Sequence, residues 1–248
     1  MSRFFKLFCC MIIVGCVSSD AGVSPSDSGN CVGFALRVPY DCPTIQEAVD
    51  QALGEPLDAP PPFTTVIMVA DGVYNENLVV HERTSVMILA ENSGEAQIHG
   101  DTIESSVITI GRETSLTLYG LKVLDSQMHD GPHFETIVAD GSAMIYFDSV
   151  GITTSGGTCL WANSIRSLTI ENSTFAGDIT AESGNYGIVL LQDEDSETAH
   201  IYRNMFQNLR GGIQACAGTA PLRGYNESGN ANSYMQVGRP YYYVDVCH

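Results

Sequence analysis

One short pattern recurs through the middle of this 248-residue chain and limits what it can fold into. Leu118-Tyr-Gly-Leu-Lys-Val123, Phe147-Asp-Ser-Val-Gly-Ile152, Ile170-Glu-Asn-Ser-Thr-Phe175 and Ile201-Tyr-Arg-Asn-Met-Phe206 each set an apolar residue five positions ahead of another, with small or polar residues between. Their starts lie 29, 23 and 31 residues apart. A loose period of this size, carrying one strand–turn–strand unit each time, marks a solenoid in which stacked repeats share one core. The unequal spacing speaks against leucine-rich or helical repeats. A parallel β-helix can lengthen the loops between its strands and still keep the stacked strands in register.

The rest of the chain agrees. Short runs rich in Val, Ile, Thr and Leu, among them Thr65 to Val69, Val86 to Ala90, Val107 to Ile110, Ala143 to Phe147 and Ile188 to Leu191, are separated by turns of Gly, Asn, Asp and Ser, and such runs are strand signals. Asn172 and Asn204 fall near the same turn of their motifs and are expected to join an asparagine stack. On the order of seven rungs, ~4.8 Å apart, make a rod of ~35 Å. Residues 43–53 alone have helical spacing, with Ile45, Ala48, Val49, Ala52 and Leu53 on one face, and Thr44 with Glu47 fits a capping box. This amphipathic helix is expected to cover the open end of the first rung. The fold class is therefore all-β, a parallel β-helix with an N-terminal cap helix.

Charge and leader narrow the setting. The formal net charge is −18, with 29 acidic residues, which argues against nucleic acid and anionic lipid surfaces as partners. Arg3 and Lys6 precede an apolar run from Leu7 to Val14, too short to span a bilayer and read as a signal peptide over residues 1–15. Ile13-Val14-Gly15-Cys16 resembles the lipobox of bacterial lipoproteins, which implies acylation of Cys16 and a lipid-bilayer anchor. An ordinary secretory signal is the alternative. Residues 16–36, rich in Ser and Gly, read as a flexible tether, with the β-helix domain over 37–248. The expected location is the bacterial cell envelope, on the outer membrane or cell surface, or else the secreted medium. Export favours disulfides; Cys31–Cys42 and Cys216–Cys247 are the candidate pairs, leaving Cys159 over.

A family resemblance rests on residues 38–100. Val38-Pro39-Tyr40-Asp41-Cys42-Pro43-Thr44-Ile45-Gln46-Glu47-Ala48-Val49, then Ala70-Asp71-Gly72-Val73-Tyr74-Asn75-Glu76, resembles the cap helix and "GxYxE" turn that open right-handed parallel β-helix proteins of the pectin-lyase-like and pectin methylesterase type. It implies the fold and its right-handed coil, not the reaction. Of the methylesterase motifs, Gln192-Asp193-Glu194-Asp195 resembles the first carboxylate segment, nothing matches the second, and Gly238-Arg239-Pro240 resembles the arginine segment with Tyr241 in place of Trp. Asp193, Asp195 and Arg239 are thus the catalytic candidates.

Other clusters have two readings each. Asp193, Glu194, Asp195 and Glu197 read as a solvated loop, with Ca²⁺ ligation through Asp193 and Asp195 as the alternative; no other cofactor is expected. His129 and His133 share one loop at a spacing compatible with a metal, without a third ligand. Trp161 and Tyr241 to Tyr243 read as core or end packing, or as the flanks of a sugar cleft. The overall expectation is a surface β-helix that binds extracellular carbohydrate without catalysis. Its rival is a polysaccharide-active enzyme, either a methylesterase-like esterase or a calcium-dependent lyase, which two carboxylates and an arginine converging on one face would favour. A rod serving as a spacer is the third option.

Overall fold

A computed structural model describes residue 31 and residues 35–52, 64–102, 105–125, 135–177, 185–192, 198–217 and 232–244. The described chain is a parallel β-solenoid with three faces. Face 1 stacks seven strands in the order β1 (Ala35–Val38), β2 (Thr65–Val69), β5 (Ser85–Ala90), β8 (Ser115–Tyr119), β11 (Met144–Asp148), β14 (Ser167–Glu171) and β17 (Thr198–Tyr202). Face 2 stacks β3 (Gly72–Asn75), β6 (Ala96–His99), β9 (Lys122–Leu124), β12 (Gly151–Thr153) and β15 (Thr174–Ala176). Face 3 stacks β4 (Leu78–Val80), β7 (Ile108–Ile110), β10 (Ile137–Asp140), β13 (Thr158–Asn163) and β16 (Tyr186–Gln192).

Faces 2 and 3 merge at the far end. There β18 (Met205–Ala217) pairs with β15 through Met205 to Gln207 and with β16 from Gly211 onward, and β19 (Ser233–Val244) follows it in register. The corner is turned without a loop, because Asn208 and Gln236 sit opposite one another at φ +55° and +54°. In the earlier turns the link between faces 2 and 3 varies from residues 76–77 to residues 125–136. That variation is the main source of the uneven motif spacing. The chain stores its length differences at one corner and leaves strand pairing untouched.

The recurrent motif is the corner between faces 1 and 2. Its first apolar residue ends the inward column of face 1, Ile88–Leu118–Phe147–Ile170–Ile201. Its last lies in the inward column of face 2, Ile98–Val123–Ile152–Phe175–Phe206–Tyr234. Phe175, Phe206 and Tyr234 stack with ring centroids 5.0 and 5.2 Å apart. Gly187 leaves room for this stack, since a Cβ there would stand 2.6 Å from the Phe206 ring. Between the two columns the backbone passes through positive φ at Gly120, Ser149, Asn172 and Arg203, a residue type varied enough that local sequence did not announce it.

The asparagine stack exists, shifted by one position. Asn204 accepts from the Ser173 N–H at 2.8 Å and donates to the Ile170 carbonyl at 3.0 Å, and Asn232 repeats the pattern on Asn204 N–H at 2.9 Å and the Ile201 carbonyl at 3.0 Å. Asn172 is not a member. It takes the positive-φ position before the stack and donates instead to Asp148.

At the near end the cap helix α1 spans Ile45–Gln51, with Thr44 as its extended N-cap accepting from the Glu47 N–H and Ile45, Ala48 and Val49 buried. The carboxylate on its first free N–H groups belongs to Glu76, 3.1 Å from Ile45 N and 2.8 Å from Gln46 N. Gln46 receives the Val79 N–H at 2.7 Å and donates to the Val79 carbonyl at 3.1 Å. Its amide thus completes the exposed edge of β4 as a neighbouring strand would. This gives the cap-helix and "GxYxE" segments a common physical reason: Gln46 and Glu76 tie them together. Cys31 and Cys42 form a disulfide, Cα atoms 5.1 Å apart. β1 begins at Ala35, inside the stretch read as tether; Leu36 is 1 % exposed and joins the core. Four residues alternating once were too short a strand signal to see.

Candidate functional site

The outer surface around the corner between faces 1 and 2 sets a cluster of polar side chains beside an open groove. On face 2 the outward side chains of β12 and β15 are Gly151, Thr153, Thr174 and Ala176, all small. They floor a shallow, open cavity of about 470 Å³, bounded by Ser93, Gly94 and Lys122 on one flank and by Ser149, Asn172 and Gln207 on others. Gly94, at φ +83°, is a position where glycine is at ease, and a Cβ there would come within 3.7 Å of the Lys122 side chain. Lys122, with Lys6 one of only two lysines in the sequence, therefore borders the groove between Gly94 and Gly151.

Across the corner, on face 1, the strand register aligns Tyr119, Asp148, Glu171 and Tyr202 in one outward column. Tyr146 stands beside them on β11. Its hydroxyl donates to Glu171 Oε1, and the Tyr202 hydroxyl donates to Glu171 Oε2. Asp148 Oδ1 accepts from Asn172 Nδ2 at 3.0 Å and from the Ser149 hydroxyl at 2.9 Å. Ser149 and Asn172 line the groove as well, so the carboxylates and the groove form one continuous surface. Arg203 follows Tyr202, its guanidinium 5.9 Å from the centre of that ring.

The tyrosines are held protonated. Burial, then the bond to Glu171, raises the Tyr146 hydroxyl far above its ordinary value. The bond to Glu171, then burial, pushes Tyr202 up to about 12. A tyrosinate here would lose its donated bond and face a carboxylate, which is the physical content of both shifts. Elsewhere, burial pushes the Cys159 thiol up. As a fully enclosed free thiol it is unsuited to nucleophilic work.

None of the described residues at this corner was singled out from the sequence as catalytic or metal-ligating. Asp193, Glu194, Asp195 and Glu197 lie outside the described residues, as do His129, His133, Cys16 and Cys247. Arg239 is in β19 opposite Gly211, whereas Gln192, the residue before the acidic cluster, pairs with Ala217. Six strand residues separate those two register points along β18, roughly 20 Å. The side chains of Arg239, Cys216 and Tyr241 to Tyr243 lie outside the description, although their backbone runs in β18 and β19. Trp161 is not a core residue: it points outward from face 3, in register with Val138 and Val189. No group of three metal-ligating side chains occurs among the described residues.

Asp148, Glu171 and Tyr202 escaped the sequence reading although the signal was present. Each directly follows the first apolar residue of its motif, so aligning the four motifs on that residue stacks Tyr119, Asp148, Glu171 and Tyr202. Tyr146 had no such mark.

No protein-family model matches the chain, and no curated protein matches it significantly. Solved structures of pectin methylesterases do. The enzyme from Aspergillus niger is 12 % identical, with 92 % of this chain and 93 % of that one covered and a TM-score of 0.38. Pectin methylesterase PemA from Erwinia chrysanthemi is 15 % identical, over 89 % of this chain and 82 % of that one, with a TM-score of 0.37. At these identities and TM-scores the likeness assigns no role to any residue of this chain.

Proposed function

We propose that this protein is an exported, lipid-anchored β-solenoid that binds extracellular carbohydrate at the corner between faces 1 and 2, without catalysing its breakdown. The observation that carries the reading is the open groove floored by Gly151, Thr153, Thr174 and Ala176 and joined, through Ser149 and Asn172, to a tyrosine–carboxylate cluster. Small residues on strands give a rigid trough in which a glycan chain finds room. Tyrosines beside it offer apolar faces for sugar rings and polar edges for hydroxyl groups. Anchoring through Cys16 is supported by the lipobox-like leader and the polar stretch behind it.

A second reading is favoured by a specific arrangement: Asp148, Glu171 and Arg203 are two carboxylates and an arginine at one corner. Carbohydrate ester or glycosidic chemistry uses carboxylates as nucleophile and as proton donor. Against it, both oxygens of Glu171 already receive tyrosyl protons, and Arg203 lies over a ring.

The test is a binding and turnover screen of the exported protein against neutral and acidic polysaccharides, with Ca²⁺ and with chelator. Saturable binding with no product is the expected result. Release of methanol or of new reducing ends, lost in Asp148→Asn and Glu171→Gln, would replace binding by catalysis. Silence on every polysaccharide would sink both readings and leave the rod as a spacer.

A further inference from the structure

We infer that the ligand of this corner is a neutral, hydroxyl-rich glycan and that uronate chains are turned away by the same side chains that recognise it. The inference rests on the carbohydrate reading above and adds the substrate class. It follows from the direction of the hydrogen bonds. The Tyr146 and Tyr202 hydroxyl protons are both committed to Glu171, and the Ser149 hydroxyl proton to Asp148. What these groups have left for a ligand is lone pairs: those of two phenolic oxygens and of Asp148 Oδ2. At these oxygen atoms a partner must therefore bring the protons. Sugar hydroxyl groups do so; a uronate carboxylate brings none and adds a negative charge beside Asp148 and Glu171.

The two cations nearby do not reverse this. The Lys122 ammonium lies beside Gly94, in the turn before β9, whereas Asp148 belongs to the turn after it, and Arg203 is an exposed side chain associated with the Tyr202 ring. The chain as a whole carries −18, so the long-range field also opposes a polyanion, most strongly at low salt. Raised tyrosine pKa values keep the donor directions unchanged across the ordinary pH range.

The experiment is titration calorimetry of the full exported protein with xylohexaose and cellohexaose as neutral probes and hexagalacturonate as the acidic probe of equal length, at low and at high salt. A neutral probe is expected to bind, with the uronate at least tenfold weaker at low salt and the gap narrowing at high salt. Asp148→Asn combined with Glu171→Gln is expected to admit the uronate. Tyr202→Phe, which keeps the ring and removes one acceptor oxygen, is expected to weaken neutral binding about fivefold. Circular dichroism of each variant separates misfolding from lost recognition. Uronate binding as tight as neutral binding in the wild type would overturn the inference while leaving carbohydrate binding in place. Failure of all three probes, together with a silent polysaccharide screen, would remove the carbohydrate reading and this inference with it.

Discussion

Glu171 is the residue on which the polar corner turns. It is the shared acceptor of Tyr146 and Tyr202, from the strand before it and the strand after it. Because the folded Tyr202 titrates at about 12 against an ordinary 10.0, the unfolded chain releases its proton first as pH rises. Between about pH 10 and pH 12 the native state then binds more protons than the unfolded state, so folding stability falls across that window. The stabilising bond is fully present below it. Glu171→Gln removes the charge and should bring both tyrosines back toward the ordinary value. A spectrophotometric alkaline titration would show this as an earlier rise of tyrosinate absorbance; an unchanged curve would mean that burial alone sets the shifts.

Among the elements, α1 matters through one side chain more than through its apolar face. Ile45, Ala48 and Val49 bury themselves over the first turn, as the periodicity of residues 43–53 implied. Gln46 does what periodicity does not encode, presenting an amide that pairs with both backbone groups of Val79. Gln46→Ala leaves those groups to water and exposes the β4 edge. The expected cost is about 1–2 kcal/mol, together with concentration-dependent association through the freed edge. Urea unfolding and light scattering check the two effects separately. An unchanged midpoint with a monodisperse sample would mean the helix covers the edge by bulk alone.

Across the whole molecule, stability is set by contacts between neighbouring turns, since every strand between the two ends of the solenoid pairs with the turn before and the turn after. The ends differ. The near end carries α1 and the Cys31–Cys42 bridge, whereas among the described residues no strand pairs beyond β19. Native-state hydrogen exchange should therefore find the central strands β8 to β14 most protected, with β19 and β17 opening before β2. Equal protection along the rod would indicate that the turns unfold as one unit.

Much of this architecture was legible in the amino-acid sequence, and the reason is local. An inward column needs an apolar residue at the same place in each turn, so Leu118, Phe147, Ile170 and Ile201 and their partners five residues on had to recur. A cap helix has to show one apolar face, and residues 43–53 show it. The polar corner was decided only by tertiary structure. Asp148 and Glu171 are 23 residues apart in the chain, and their neighbourhood depends on strand register, which is the sum of many backbone pairings and is written in no single segment. The same holds for Asn204, which stacks with Asn232 rather than with Asn172, and for Gln46, whose partner Val79 lies 33 residues away. Patterns of burial survive in one dimension because each residue carries its own hydrophobicity. Polar constellations do not, because a hydrogen bond belongs to two residues and exists only once the fold has brought them within reach.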